Sequence, residues 1–298
     1  MDEQQICATY CYINDAMGWT SGTYKADDYK VCVAQKNCIT KKCAAANVKG
    51  QCYRDADRYS CKLYSDLCTI WNDFTFIKLS GNRLNFVDKD DFRFSCDYIG
   101  PSRAWAYRVG IKDEIIGEYL LMSRTIGGHI LWPVHPNPTI NTARAGGGSL
   151  FDRIDLTLYE IRRFYLGEDH NSEMPISLWN VLHRNIEKSY LLRYSYNNKQ
   201  GIDAFKAFID YWKLQDFVMD EDYKVVSFAM SDEHTNIPVS ENEPVFPGNN
   251  NIFMSWKEIT NEKISETNRK ILCVAYSKYA ENLIFAIQKR NERIINKI

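Results

Sequence analysis

The chain has 298 residues, of which 45% are hydrophobic and 25% are charged, a balance that is ordinary for a globular protein. Its 37 basic and 38 acidic residues leave a net charge of −1, which excludes a general polyanion-binding protein that works through bulk charge. No apolar run approaches the roughly 18 residues of a membrane span, and the polar start MDEQQICATYCY is unlike a signal peptide. We therefore expect a cytoplasmic protein that does not associate with a membrane.

Cysteine sets the N-terminal part of the chain apart. Eight of the ten cysteines lie between positions 7 and 68, in a stretch that contains no proline. Residues 27–46 are rich in helix formers, and residues 54–71 have apolar residues near helical spacing. The sequence therefore predicts a helical, cysteine-rich module over residues 1–70, followed by a core domain over residues 71–298.

The chemistry of these cysteines has three interpretations. Cys7 and Cys11 are one helical turn apart, and thiolates on helices can converge on zinc or an iron–sulfur cluster. On this interpretation the candidate metal ligands are Cys7, Cys11, Cys32, Cys38 and Cys43. No C-x2-C knuckle supports it. Disulfides in an oxidising compartment and reduced cysteines in a core are the two alternatives, and all three stay open.

Short alternating apolar runs begin at Phe74 and predict β-strands. The runs cover 74–79, 83–86 and 92–96, and the Ser-Gly-Asn sequence between the first two indicates a hairpin. Further strands are expected at 119–124 and 128–132, where the prolines that follow cannot donate to a sheet.

Helical signals follow the glycines at 146–148. Thr157 and Glu160 have the spacing of a capping box, which predicts a helix that begins there and stops at Gly167. Further helices are predicted at 176–193 and 202–218, then a strand at 224–230 and a long C-terminal helix at 256–298. The fold class is therefore α+β: a small antiparallel sheet packed on several helices, with the cysteine-rich module and the long C-terminal helix at its ends.

A dense group of polar residues between 124 and 155 is the candidate functional site. The arginine guanidinium can bind phosphate through two hydrogen bonds at once, and histidine can transfer protons at neutral pH. Gly127 and Gly128 have no side chain, so the backbone there can approach a ligand closely. Arg124, Arg144 and Arg153 would bind phosphate, Asp152 and Asp155 would orient these arginines or a ribose hydroxyl, and Asn141 would contact a base or backbone. His129 and His135 would act as acid and base if the ligand is hydrolysed.

The same residues have a structural alternative. Arg124 would pair with Asp152 or Asp155, His129 would point outward from a strand, and the two glycines would form a hairpin. The acidic segment from Asp216 to Glu243 is expected to be a solvated face, with docking of a basic partner as the less favoured interpretation.

This middle region also resembles a bacterial domain family of unknown function. The strings that carry the resemblance are SRTIGGHILWP, INTARAGGG, FDRIDLTLYEIRRFYLGE and FKAFIDYWKLQDFV, within residues 105–230. The resemblance implies that the family shares R-T-I-G-G, I-N-x-A-R and D-R-x-D-L-T-L motifs. Its shared polar positions would be Arg124, Gly127, Gly128, Asn141, Arg144, Asp152, Arg153 and Asp155. It implies no known activity.

Two functions are compatible with these patterns. The first is binding, with hydrolysis as an extension, of a phosphorylated small molecule, a nucleotide or a nucleic acid at the 124–155 group. The alternative is a non-enzymatic interaction protein with a metal-bound or disulfide-stapled cysteine module and structural central arginines. Its protein partner is not identified by the sequence.

Overall fold

The computed structural model describes the central and C-terminal parts of the chain, with gaps. The described residues are 70–71, 75–80, 83–88, 93–98, 111–112, 114–115, 118, 126–133, 140, 143, 153–169, 176–195, 200–240, 243 and 266–295. The predicted cysteine-rich module therefore lies outside the described residues, apart from residue 70.

The described part of the chain is largely helical. The α-helices described from end to end are α1 (Ile154–Leu166), α2 (Ile176–Leu182), α3 (Asn185–Leu192), α4 (Gly201–Trp212) and α5 (Glu266–Ile295). The predicted long C-terminal helix is confirmed by α5, which has 30 residues. No helix within the described ranges is long and apolar enough to cross a membrane.

Four strands pair in sequence order in one sheet. They are β1 (Thr75–Ser80), β2 (Arg83–Asp88), β3 (Arg93–Tyr98) and β4 (His129–Pro133), and each pairs antiparallel with the next. In the last pair, Tyr98 lies opposite His129 and Phe94 lies opposite Pro133. All five residues of β4 are buried.

Helix α1 begins earlier than the capping box predicts. Thr157 is inside the helix and fully buried, and its hydroxyl donates to the carbonyl oxygen of Arg153 at 2.8 Å. The capping box is therefore wrong, because the Thr157 hydroxyl bonds four residues back along the helix instead of capping its start. The predicted stop is correct, since Gly167 has a left-handed φ of 67°, which costs glycine little.

Two predicted helices end earlier than their apolar patterns suggest. The helix expected over 176–193 is two helices, because Arg184 is extended (φ −75°, ψ 152°) and precedes the start of α3. The helix expected over 202–218 ends at Trp212, because Lys213 takes a left-handed φ of 56°. Neither break is marked by glycine or proline, the residues from which a sequence pattern predicts a helix end.

The predicted strand at 224–230 is also corrected by the structure. Only two isolated bridges form there, between Val218 and Val225 and between Val226 and Pro238. The chain turns at 228–230, and the amide of Ser231 donates to the carbonyl oxygen of Ser227 at 2.9 Å. Residues 218–240 thus form a folded-back segment that lies beside α5.

Aromatic side chains make up much of the core between the helices and β4. The aromatic face predicted for α4 is buried, with Phe205, Phe208 and Trp212 fully covered. The hydroxyl of Tyr190 on α3 donates to the carbonyl oxygen of Leu131 on β4 at 3.1 Å. This bond joins α3 to the buried strand within an apolar core, where a polar group needs a partner.

Candidate functional site

The structure describes three of the predicted site residues, namely His129, Arg153 and Asp155. The other ligand-binding and catalytic candidates, Arg124, His135, Asn141, Arg144 and Asp152, lie outside the described residues. So do the candidate metal ligands Cys7, Cys11, Cys32, Cys38 and Cys43. The phosphate site as a whole, and the cysteine chemistry, therefore stay predictions.

Arg153 and Asp155 belong to a buried ion triad. The guanidinium of Arg153 donates to both carboxylate oxygens of Asp155, with Nε–Oδ1 at 3.0 Å and Nη2–Oδ2 at 2.6 Å. Its Nη2 also donates to Oε2 of Glu243 at 2.8 Å, and the side chains of all three residues are fully buried. Two carboxylates thus share one guanidinium out of contact with water.

The surroundings of the triad hold these charges in place. The amides of Leu156 and Phe228 donate to Asp155 at 2.9 and 3.0 Å. The rings of Tyr276 and Tyr279 on α5 lie 5.7 and 5.2 Å from the guanidinium carbon of Arg153. The triad therefore connects the start of α1, the 218–240 segment and α5.

The pKa values of Arg153 and Glu243 agree with a closed structural contact. Burial alone would lower the pKa of Arg153, but Asp155 and Glu243 together raise it well above its ordinary value. Burial raises the pKa of Glu243, and the charge of Arg153 opposes that shift. Arg153 is thus charged and paired with both carboxylates through Nε and Nη2, and a ligand phosphate reaches these nitrogens only if the triad opens.

His129 is also inside the protein. It is fully buried at the start of β4, and its carbonyl oxygen accepts a hydrogen bond from Nη1 of Arg290 at 2.7 Å. The structural alternative that placed His129 outward on its strand is therefore wrong, because both faces of β4 are covered.

The R-T-I-G-G motif meets the C-terminal helix at Gly127. The carbonyl oxygen of Gly127 accepts from Arg290 at 2.7 Å, and its amide donates to Oδ1 of Asn291 at 2.7 Å. A Cβ at Gly127 would lie 2.7 Å from the Asn291 side chain and 2.8 Å from the carbonyl oxygen of Ile287. Glycine is required here because the backbone approaches α5 too closely for any side chain.

An open groove runs between α5 and residues 215–236 on the surface, with a cavity volume of about 800 Å³. Its lining residues come from the turn after α4, the folded-back segment and one side of α5. They are Gln215, Asp216, Val218, Met219, Asp220, Val226, Phe228, Ser231, Asp232, Glu233, Asn236, Lys278, Glu281, Asn282, Phe285, Ala286 and Arg293.

Carboxylates dominate the charge of this groove. Five of its lining residues are acidic and two are basic. One of the bases, Arg293, forms a bidentate pair with Asp216, with Nε–Oδ2 at 2.6 Å and Nη2–Oδ1 at 2.9 Å. Four acidic residues and Lys278 then remain, so the groove has a negative potential.

The two walls of the groove are joined by hydrogen bonds. Nδ2 of Asn282 on α5 donates to the carbonyl oxygens of Phe228 and Ser231 at 2.8 and 3.0 Å. Asp232 accepts the amides of His234 and Thr235 at 3.0 and 2.9 Å, and these bonds lower the pKa of Asp232. The segment that bears the acidic residues is thus held in a defined conformation by hydrogen bonds within the chain.

The sequence predicts the site at 124–155, and it favours a solvated face for the acidic segment that lines the groove, with docking of a basic partner as the less favoured interpretation. The signal for the groove was the cluster of acids between 216 and 243, but its α5 wall could not be inferred from that cluster. Within the described ranges, no group of three or more His, Cys, Asp or Glu side chains is arranged to hold a metal ion.

These features define a mixed, mainly helical fold in which Arg153 and Gly127 make contacts that support the interior, and the groove among the described residues is acidic. The chain belongs to a family of unknown function, DUF6994, which it matches over residues 44–294. The expected resemblance to an uncharacterised domain family is thereby confirmed, and the match extends beyond residues 105–230 on both sides. No curated protein and no solved structure matches the chain.

Proposed function

We propose that the protein is a non-enzymatic binding protein whose acidic groove receives a basic segment of a partner protein. The sequence offers a non-enzymatic interaction protein as its alternative function, with the cysteine module as the specific element; the proposal instead uses the less favoured interpretation of the acidic segment, docking of a basic partner. The observation that carries the proposal is the groove itself, in which five acidic side chains and two basic ones surround an apolar floor.

The charges of the groove favour a cationic occupant. Asp220, Glu233 and Glu281 are exposed, so their carboxylates are accessible to a lysine or arginine of a partner. Complementary charge steers encounter and favours the correct partner, and its effect weakens as salt screens it.

The floor of the groove adds an apolar contribution. Val218, Val226 and Phe228 line it from the folded-back segment, and the exposed ring of Phe285 lies on the α5 side. Its volume of about 800 Å³ is within the range of pockets that hold a few side chains. A segment in which basic and apolar residues alternate would pair with the acidic side chains of the groove and cover its apolar floor.

The hypothesis that the 124–155 group binds a phosphate has less support than the proposed function of the groove. Arg153 and Asp155, two of its central residues, neutralise each other in the buried triad, and His129 is buried. The hypothesis now depends on Arg124, Asn141, Arg144 and Asp152, which lie outside the described residues.

Calorimetric titration with a designed peptide tests the groove. The probe is a short peptide of alternating lysine and leucine, and its matched control replaces each lysine with glutamate. We expect the lysine peptide alone to bind, about tenfold more weakly in the Asp220→Asn/Glu233→Gln variant and more weakly in high salt.

The control variant is Asp203→Asn, which removes an exposed carboxylate on α4 that does not line the groove. It should bind the lysine peptide as the unmodified chain does. Equal binding of the two peptides, no binding of either, or an equal loss in both variants would overturn the proposal.

The finer description of the architecture is part of this proposal. We propose an α+β protein in which the whole antiparallel sheet packs on the helices and residues 1–70 form a separate cysteine-rich module in the cytoplasm. The clustering of eight cysteines before residue 69 supports the module. Native and denatured, unreduced mass spectra distinguish bound metal, disulfides and free thiols.

A further inference from the structure

One face of α5 is exposed and partly apolar. Val274 and Phe285 are 63% and 60% exposed, and Ile271 is 39% exposed. Positions 271, 274, 278, 281 and 285 follow the spacing of a single helix face. We call this face the α5 stripe; the opposite face of α5, with Tyr276, Tyr279, Leu283 and Ile287, is fully buried.

The α5 stripe is complementary to itself when two copies lie antiparallel. If a two-fold axis passes between Tyr279 and Ala280, Val274 of each copy lies opposite Phe285 of the other. The same register places Lys278 of each copy opposite Glu281 of the other. We propose that the α5 stripe binds a second copy of this chain in this antiparallel arrangement.

The charges select this orientation over a parallel one. In a parallel pair, Lys278 would approach Lys278 of the second copy, and Glu281 would approach Glu281, so both central contacts would be repulsive. In the antiparallel pair both contacts are attractive, and the two exposed apolar side chains cover each other. A closed two-fold contact also covers the stripe on both copies, so assembly stops at a dimer.

One pair of like charges falls within the same register. Lys270 would lie opposite Lys289 of the second copy. Each has an acid on its own helix, with Glu266 3.9 Å from Lys270 and Glu292 3.6 Å from Lys289. These acids offset the repulsion, so the central contacts decide the orientation.

The contact is short, so the dimer is expected to depend on concentration. Three apolar side chains per copy and a few charge pairs are at the small end of specific interfaces, for which weak and transient association is typical. Lys278, Glu281 and Phe285 also line the acidic groove, so a second copy of the chain and a basic segment in the groove would compete for Glu281 and Phe285.

Sedimentation velocity over a range of protein concentrations tests this inference. The unmodified chain should shift from monomer to dimer, and Val274→Asp should stay monomeric. Leu192→Asp is the matched control, because Leu192 is a 46% exposed apolar residue on α3, outside the stripe. That variant should dimerise like the unmodified chain, and circular dichroism checks that each variant is folded.

A charge swap tests the register without depending on Val274. Lys278→Glu and Glu281→Lys should each weaken the dimer about tenfold, since each creates a like-charge pair across the axis. The Lys278→Glu/Glu281→Lys double variant should recover most of the dimer. A chain that stays monomeric, or a double variant no better than either single one, overturns the inference.

The two proposals are separated by Val274, which does not line the groove. Val274→Asp should lose the dimer and still bind the lysine peptide. The Asp220→Asn/Glu233→Gln variant should lose peptide binding and keep the dimer, because both residues line the groove and neither belongs to the α5 stripe.

Discussion

Two arginine–carboxylate pairs of almost the same geometry occur in very different parts of this molecule. Nε and Nη2 of Arg153 donate hydrogen bonds to Asp155 at 3.0 and 2.6 Å. The same two nitrogens of Arg293 donate to Asp216 at 2.6 and 2.9 Å. The side chains of the first pair are 0% exposed, and those of the second are 46% and 17% exposed. Bond geometry alone therefore does not tell which pair supports the fold.

The difference between the pairs lies in the water around them. Removing Arg153 would leave two buried carboxylates without their cation, which is far more costly than the bond itself. Removing Arg293 would leave Asp216 beside solvent, where water replaces most of the interaction. The buried Arg153–Asp155 pair thus holds three chain segments together, while the exposed Arg293–Asp216 pair changes the charge of the groove.

The same substitution at both arginines gives the largest expected effect. Arg153→Met should lower the free energy of unfolding by about 3–5 kcal/mol, because Asp155 and Glu243 would remain as uncompensated buried charges. Arg293→Met, the matched control, should lower it by about 1 kcal/mol or less. Urea titration followed by circular dichroism measures both, and similar losses would break the comparison.

A third pair, Glu160 with Arg163, lies between these extremes and should give a pH effect. Burial raises the pKa of Glu160 from its ordinary 4.5 to about 7, and Arg163, 3.4 Å away, opposes that shift only in part. The folded state therefore holds more protons than the unfolded state between pH 4.5 and 7. Stability should fall as the pH rises through this range, by about 3 kcal/mol at most.

Glu160→Gln tests that pH effect, because glutamine stays neutral. The variant should be close to the unmodified chain below pH 4.5 and more stable above pH 7. Thermal unfolding at a series of pH values measures both, with Glu168→Gln as a control at the exposed acid that also pairs with Arg163. An unchanged slope in Glu160→Gln would show that another group titrates.

The smallest effect is expected at the surface pair. Asp216→Asn should lower the free energy of unfolding by up to about 1 kcal/mol in low salt, and by less in high salt, because ions screen exposed charges. Denaturant titration at two salt concentrations measures the difference. A loss that did not respond to salt would mean that Asp216 acts through packing.

What the sequence could predict was mostly local. The stop of α1 at Gly167 and the buried aromatic face of α4 each depend on a few neighbouring residues. The break before α3 could not be found this way, because Arg184 leaves the helical conformation without a glycine or proline to mark it.

The candidate site was harder to predict because its partners are distant in sequence. Asp155 is part of the D-R-x-D motif, but Glu243 lies 90 residues from Arg153, so nothing near the motif shows that its arginine also pairs with a second carboxylate. A motif of arginine, aspartate and glycine suits a phosphate site and a buried support equally well. Burial decides between them, and burial is a property of the folded chain.

The bonds from Arg290 set an order of events for folding during synthesis. The carbonyl oxygens of Gly127 and His129 accept from this one guanidinium, which follows them by 163 and 161 residues. The corner before β4 thus cannot be completed until Arg290 has been made, although the hairpin of β1 and β2 can pair much earlier. A ribosome that stops before Arg290 would release a chain in which the carbonyl groups of Gly127 and His129 lack this donor, and such a chain is a substrate for quality-control proteases.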